Sequence, residues 1–176
     1  MNSDTVDIAS QNPNSAPETG MLTVYRAPES VTTIHGRSIF LAGSIKGGPD
    51  AWQGQVIRRL AQQLREPATV FDARRDDWEG SWAQRAFDPS SAAQTAWERD
   101  QRARADVVVF YAGPASSAPL SLHELSLAVR RGKDVVVWCP DGFAHRRTVE
   151  AVCERMKVPL VGALEKLVQW VEEKLQ

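Results

Sequence analysis

The strongest constraint on the fold is an unbroken apolar run, Val107 to Tyr111, in which every residue is β-branched or aromatic. Such a run suits a strand buried on both faces, at the centre of a parallel sheet covered by helices. Similar runs alternate along the chain with segments of helical period. They lie at 38–42, 69–71, 135–138 and 159–161. The pattern predicts an α/β fold, an open, doubly wound, mainly parallel sheet of about five strands with helices on both faces, as in flavodoxin-like and Rossmann-like proteins.

The first 20 residues differ in composition from the remainder of the 176-residue chain. They are rich in Ser, Asn, Asp, Pro and Thr and contain almost no large apolar side chains, so they cannot offset the entropy lost on ordering. We therefore predict a flexible tail at 1–20 and one α/β domain at 21–176. Residues 22–25 could add a short edge strand, although Pro28 and the polar stretch behind it weaken this prediction.

Charge and composition narrow the class of partner. The 21 basic and 22 acidic residues leave a formal charge of −1, without the basic excess that favours polymeric nucleic acid or an anionic membrane. We therefore expect a small-molecule partner and, in the absence of a long apolar run or a secretory signal, a cytoplasmic protein. The spacing of the cysteines and histidines matches no zinc site, so we expect no metal and two free thiols. These residues are Cys139, Cys153, His35, His123 and His145.

A glycine-rich turn, Gly43 to Gly48, follows the first predicted strand. In open parallel sheets, ligands bind beyond the carboxyl ends of the strands, where such a turn can offer backbone N–H groups to a phosphate or a sugar hydroxyl. The turn lacks the Lys-Ser/Thr of a P-loop and the spacing of a dinucleotide-binding glycine motif. Gly43 and Ser44 are therefore binding candidates, with a tight structural connection as the more frequent alternative.

A long polar segment after the second predicted strand carries Asp72, Arg74, Arg75 and Trp78. The two arginines could clamp a phosphate or belong to a solvated charge cluster. The indole could stack on a planar base or cover the edge of the core. These residue types alone do not decide between the alternatives.

Glu124 lies three residues after Ser121, where a helix is predicted to begin. This spacing fits a capping box, in which the carboxylate accepts a hydrogen bond from the backbone N–H of the cap residue. The same position favours the ionised, nucleophilic form of a carboxylate, which suits covalent catalysis. From the local sequence alone, capping is the more frequent role.

Several short motifs follow one another in an order typical of one protein family. They are Ile39–Ser44, Trp52, Phe71–Trp78, Trp97–Asp100, Ala105–Phe110 and Pro119–Leu125. From Arg37 to the C-terminus, this succession resembles the nucleoside 2-deoxyribosyltransferase-like family. The resemblance implies an enzyme that cleaves the N-glycosidic bond of a nucleoside or nucleotide and transfers the (deoxy)ribosyl group to another base, without a cofactor. It also implies a homo-oligomer in which a neighbouring subunit completes each active site.

The resemblance further implies roles for individual residues. Glu124 matches the glutamate that attacks the anomeric carbon. Asp100 best matches a second acid on the preceding helix that helps to handle the base, and Glu98 is its fallback. The residues implied in substrate binding are Gly43, Ser44, Asp72, Arg74, Arg75, Trp78 and Ser121.

The chain departs from the family pattern at three places. Ser126 stands where a glycine usually follows Glu-Leu, Asp72-Ala73 replaces Asn-Pro before the arginines, and 113–118 lacks an acid found upstream of the nucleophile in some members. Two alternatives therefore stay open beside transfer to a base. One is an N-glycoside hydrolase that passes the sugar to water. The other is a non-catalytic nucleotide-binding or sensing module in which Glu124 only caps its helix.

Overall fold

A computed structural model describes residues 21–43, 51–74, 89–113 and 122–176, except for the side chains at 89–91 and 122–123. The predicted flexible tail at 1–20 lies outside the described residues. Within these ranges, no helix combines the length and the apolar character needed to cross a membrane. The strands are Leu22–Arg26 (β1), Arg37–Ala42 (β2), Ala68–Asp72 (β3), Val107–Tyr111 (β4), Asp134–Trp138 (β5) and Leu160–Val161 (β6), and the helices are Trp52–Gln63 (α1), Pro89–Arg104 (α2), Leu122–Arg130 (α3), Arg146–Met156 (α4) and Leu164–Leu175 (α5).

The six described strands form one sheet in the order β1-β3-β2-β4-β5-β6, and every neighbouring pair is parallel. The predicted α/β fold is confirmed. The sheet has one strand more than the expected five because β1 pairs along its whole length with β3, from Leu22 beside Ala68 to Arg26 beside Asp72. Pro28 lies beyond the end of β1, where it removes no hydrogen bond from the ladder.

The apolar strand β4 lies inside the sheet, between β2 and β5, and four of its five residues are buried, as its sequence predicts. The chain passes from β2 to β3 in one direction and from β4 to β5 and β6 in the other. The strand order therefore reverses between β2 and β4. In open parallel sheets, the connections that leave the carboxyl ends diverge at such a point and open a crevice in which ligands bind.

Side chains alternate between the two faces of the sheet. Phe40 and Val108 point to one face, where they pack with buried residues of α2, α3 and α4. Ile39 and Val109 point to the opposite face, where α1 and α5 cover them. Because α2 and α3 share a face, and because α3 follows β4, side chains at the boundary of these two helices lie near the point where the strand order reverses.

Two leucines of α3 form a matched pair for testing this packing. Leu125 has no exposed surface, whereas Leu127 is 39% exposed. We predict that Leu125→Ala lowers the free energy of unfolding by about 2–5 kcal/mol, because it leaves a cavity beneath the helix. Leu127→Ala should change it by less than about 1 kcal/mol. Urea unfolding followed by circular dichroism measures both values, and equal losses would contradict the described orientation of α3.

Candidate active site

Glu124 lies in the first turn of α3, immediately before the fully buried Leu125. Successive residues of a helix are about 100° apart, so the contact of Leu125 with the core leaves Glu124 at the side of the helix. There its Oε1 accepts a hydrogen bond from Nη1 of Arg102 in α2. The Glu124 side chain is 40% exposed, so a ligand in solution can reach the carboxylate.

Three polar side chains of α2, Gln94, Glu98 and Arg102, lie on one side of the helix because they are four residues apart. Gln94 Nε2 donates to the carbonyl oxygen of Ala73 at 2.6 Å and to Glu98 Oε1 at 2.7 Å. Arg102 Nη2 lies 3.9 Å from Glu98 Oε2. Together with Glu124, these three residues form a continuous set of contacts from the end of β3 to the start of α3, which we call the two-acid cluster.

The guanidinium of Arg102 is the centre of the two-acid cluster. Its Cζ lies 5.1 Å from the centroid of the Phe40 ring, a favourable position for a cation. The side chain is 20% exposed. Its Nε is buried and has no hydrogen-bond partner within the described part of the chain. The two Nη groups therefore make the contacts with the acids.

Glu98 is the more buried of the two acids, with 27% of its side chain exposed. Burial raises the pKa of Glu98, and the negative charge of Glu124 adds to this effect. The hydrogen bond from Gln94 and the charge of Arg102 oppose it, but the net direction is upward. Glu98 therefore keeps its proton to a higher pH than an exposed glutamate.

Asp100 lies outside the two-acid cluster. Its side chain is 57% exposed, and its Oδ1 accepts a hydrogen bond from Nε of the adjacent Arg99 at 3.0 Å. Asp100 is two residues from Glu98 and therefore about 200° around the helix. Among the described contacts, Glu98, the fallback, thus shares Arg102 with Glu124, whereas Asp100 pairs with Arg99.

Gln94 and Arg102 were not among the predicted site residues. The signal that could have found them is the recurrence of polar side chains at 94, 98 and 102, next to the buried Trp97. A polar row at intervals of four residues, beside a buried position of the same helix, indicates side chains in contact with one another.

Asp72 ends β3, is fully buried and binds Arg74. The backbone N–H of Arg74 donates to Oδ1 at 3.1 Å, and its Nη2 donates to Oδ2 at 2.8 Å. Nε of Arg74 also contacts both carboxylate oxygens, at 3.0 and 3.2 Å. Arg26 of β1 approaches the same carboxylate, with its Nε 3.7 Å from Oδ2. Asp72 therefore orients Arg74, whose Nη1 takes no part in this ion pair.

Gly43 follows β2 at a point where the backbone passes close to two aromatic rings. A Cβ on this residue would lie 3.0 Å from Trp52 Cζ2 and 3.1 Å from Tyr111 Cβ. Trp52 stacks on Tyr111 with 4.9 Å between the ring centroids, and both rings pack edge-on against Trp138. These aromatic rings belong to the face covered by α1 and α5, opposite the two-acid cluster.

The remaining predicted binding residues, Ser44, Arg75, Trp78 and Ser121, lie outside the described residues. The capping contact between Ser121 and Glu124 therefore stays a prediction.

Metal-ligating residue types do not gather in the described ranges, where no group of three or more His, Cys, Asp or Glu side chains could hold a metal ion. Cys139 and Cys153 are free and buried. Burial, with a smaller effect of Cys139, raises the pKa of Cys153 to about 11. Its thiolate is therefore disfavoured near neutral pH.

The open parallel sheet with helices on both faces defines the chain as an α/β protein of the doubly wound type. A family model described as "Nucleoside 2-deoxyribosyltransferase like" matches residues 36–143. This range covers more than half of the chain, extends from β2 to beyond β5 and includes the whole two-acid cluster. The chain belongs to the nucleoside 2-deoxyribosyltransferase-like family, as its motifs predict.

Two individual proteins are also similar to this chain. The crystal structure of a conserved protein from Enterococcus faecalis V583 superimposes with a TM-score of 0.56 at 14% identity, over 80% of this chain and 99% of that one, which supports the fold alone. Pyruvate synthase subunit PorB from Methanothermobacter marburgensis is 36% identical over 74 residues, 40% of this chain. The chain spans only 26% of the length of that relative, so this likeness is local.

The buried ion pair of Asp72 with Arg74 predicts that a single substitution here strongly lowers the stability of the fold. Asp72→Asn should lower the free energy of unfolding by about 3–5 kcal/mol, because it leaves a largely buried guanidinium without its carboxylate. Asp100→Asn, which breaks an exposed pair, should change it by less than about 1 kcal/mol. Urea unfolding at neutral pH measures both. Recovery of stability in the double variant Asp72→Asn/Arg74→Met would show that the loss in Asp72→Asn comes from the unpaired arginine. Equal losses in Asp72→Asn and Asp100→Asn would contradict the prediction.

Proposed function

We propose that this protein cleaves the N-glycosidic bond of a nucleoside or nucleotide through a covalent glycosyl–Glu124 intermediate and transfers the (deoxy)ribosyl group to another base. The observation that carries the proposal is the two-acid cluster. An accessible carboxylate in the first turn of a helix lies near a more buried carboxyl group, and one arginine contacts both. The cluster lies within the range that matches the family, which supports a nucleoside-type substrate.

In the first step, an oxygen of the Glu124 carboxylate attacks C1′ of the sugar. The bond between C1′ and the base nitrogen breaks, its electron pair goes to the base, and the base takes a proton from Glu98. The product is a glycosyl ester of Glu124. A carboxylate nucleophile in this way divides one difficult displacement into two easier ones, with transition states that resemble an oxocarbenium ion.

In the second step, an acceptor attacks C1′ and releases the Glu124 carboxylate. A free base as the acceptor gives a new nucleoside, whereas water gives a free sugar, so N-glycoside hydrolysis is the alternative activity of the same site. A non-catalytic nucleotide-binding module is the remaining alternative. The arrangement of one arginine between two acids favours an enzyme over a binding module, because a protein that only binds a nucleotide needs neither acid.

The proposal gives Glu98 the assisting role that the family resemblance first suggested for Asp100. The raised pKa of Glu98, caused mainly by burial, suits an acid that must hold a proton near neutral pH. Asp72 would contribute to substrate binding through Arg74, and Gly43 through the shape of the crevice. We further expect no cofactor and a homo-oligomer that works in the cytoplasm.

Removal of the nucleophile should abolish base release. We predict that Glu124→Ala lowers its rate by a factor on the order of 10³ or more and leaves the fold intact. A panel of nucleosides and nucleotides, incubated with and without a free acceptor base and separated by chromatography, measures the reaction. Glu150→Ala, which removes another arginine-paired glutamate, is the matched control.

The products of this panel distinguish the alternatives. Base exchange identifies a transferase and free sugar a hydrolase, and mass spectrometry of the intact protein should detect one glycosyl group on the wild type and none on Glu124→Ala. Full activity of Glu124→Ala, or the absence of base release from every compound, would contradict the enzymatic proposal.

Two further variants decide which acid assists. We predict that Glu98→Gln slows base release by a factor of about 10²–10⁴, whereas Asp100→Asn changes it less than about twofold, since its side chain points to solvent. Because the acid must be protonated, and because burial raises the pKa of Glu98, the rate should fall as the pH rises through that raised value. Rate profiles against pH test this, and a large loss in Asp100→Asn with none in Glu98→Gln would reverse the assignment.

A further inference from the structure

Arg102 contacts two carboxyl groups unequally. Its Nη1 makes a close hydrogen bond to Glu124 Oε1, whereas its Nη2 lies 3.9 Å from Glu98 Oε2, beyond hydrogen-bond distance. The guanidinium carbon Cζ of Arg102 lies over the Phe40 ring, 5.1 Å from its centroid. The charge of Arg102 therefore compensates mainly Glu124.

One cation cannot compensate two carboxylates at the same time. With Glu98 protonated and Glu124 ionised, the three side chains together have no net charge. With both acids ionised, the three side chains together carry one net negative charge in a partly buried site, which is unfavourable. The hydrogen bond to Glu124 and the 3.9 Å separation from Glu98 agree with the neutral arrangement.

We propose that Arg102 is a positioning residue whose guanidinium turns from Glu124 toward Glu98 when Glu124 becomes an ester. Glu98 can then act as an acid in the first step and as a base in the second. The inference rests on the proposed function and adds a residue to it. The guanidinium has a reason to turn because Glu124 loses its charge, on forming the ester, at the same time as Glu98 becomes an anion by giving its proton to the leaving base.

Both steps conserve the total charge of these side chains. In the first, neutral Glu98 and anionic Glu124 become anionic Glu98 and a neutral ester, and the proton departs with the base. In the second, the acceptor forms its bond to C1′ and loses a proton to Glu98, while the ester oxygen recovers its electron pair. Arg102 faces one anion before and after each step. Nη2 has to move only about 1 Å to reach a charge-assisted hydrogen bond with Glu98.

The groups around Glu98 explain why the two acids are coupled. Burial is the main cause of its raised pKa; Arg102 of its own helix lowers it, and Glu124 of α3 raises it. At the end of β3, the carbonyl oxygen of Ala73 accepts a hydrogen bond from Gln94, the residue that also donates to Glu98. A neutral group at position 124 therefore removes a like charge, and within the two-acid cluster it leaves Glu98 as the one anion that Arg102 faces.

Carboxyl-¹³C NMR titration of the substrate-free protein tests this coupling without an activity measurement. Glu98→Gln identifies the Glu98 signal by its loss. In Glu124→Gln, whose neutral amide represents the ester, we expect the pKa of Glu98 to fall. In Arg102→Met we expect it to rise, and in Arg102→Lys, which keeps the charge, to lie between the wild type and Arg102→Met. Circular dichroism verifies that each variant is folded, and Glu124→Gln decides the question even if Arg102→Met does not fold.

Two matched controls remove ion pairs elsewhere. Glu150→Gln breaks the pair with Arg146 in α4, and Arg99→Met breaks the pair with Asp100 in α2. Both should leave the titration of Glu98 unchanged. A Glu98 pKa in Glu124→Gln that equals the wild-type value, or falls no further than in Glu150→Gln, would overturn the inference. The absence of base release from every nucleoside would overturn the proposed function instead, whatever the titration shows.

Discussion

The parallel pairing of β2 with β4 is the constraint on which the position of the site depends. Ile39 to Ala42 pair with Val107 to Phe110, and both the backbone N–H and the hydroxyl of Ser38 donate to Asp106 at 2.8 and 2.9 Å, which fixes the register at the amino ends. The connection from β3 to β4 must cross β2, so α2 lies over β2, and α3 then leaves β4 on the same face. The strand order and the right-handed crossover of parallel strands together thus make α2 and α3 neighbours.

The described polar contacts around the site use two opposite charge arrangements. At the end of β3, one buried carboxylate of Asp72 is approached by two arginines, Arg26 and Arg74. In the two-acid cluster, one arginine lies between two carboxyl groups. In the first arrangement, two cations face one carboxylate, so that the acid stays ionised, which suits a fixed structural element. In the second, two acids share one arginine among the described contacts, so the protonation state of this cluster depends on its surroundings, which is the property that acid–base chemistry requires.

The fold could be predicted from the sequence because its signals are local. The β-branched run of β4 and the alternation of strand-length and helical segments each reflect burial of that segment alone. The edge strand β1 gave a weaker signal, since only Leu22 and Tyr25 of its five residues are buried and its pairing with β3 joins segments far apart in the chain.

The site could be predicted only in part. Motif order pointed to Glu124 and to an acid on the preceding helix, but a motif does not say which side of a helix a residue occupies. Asp100 and Glu98 are two positions apart and point in nearly opposite directions. The contact of Arg102 with Glu124 joins residues 22 positions apart in the sequence, and it depends on how α2 and α3 pack, which no local pattern encodes.

The close packing around Gly43 has a consequence for how sequences of this family are interpreted. Trp52 and Tyr111 occupy the space that a side chain on Gly43 would need, so selection for a well-packed core is sufficient to preserve this glycine in any relative that retains the two rings. Conservation of glycine at this position would then reflect packing of the core rather than binding of a ligand. Because the backbone at Gly43 has a φ of +156°, which L side chains rarely adopt, and because Tyr111 approaches it through its Cβ and its backbone oxygen, relatives with a smaller ring at position 111 are still expected to keep the glycine.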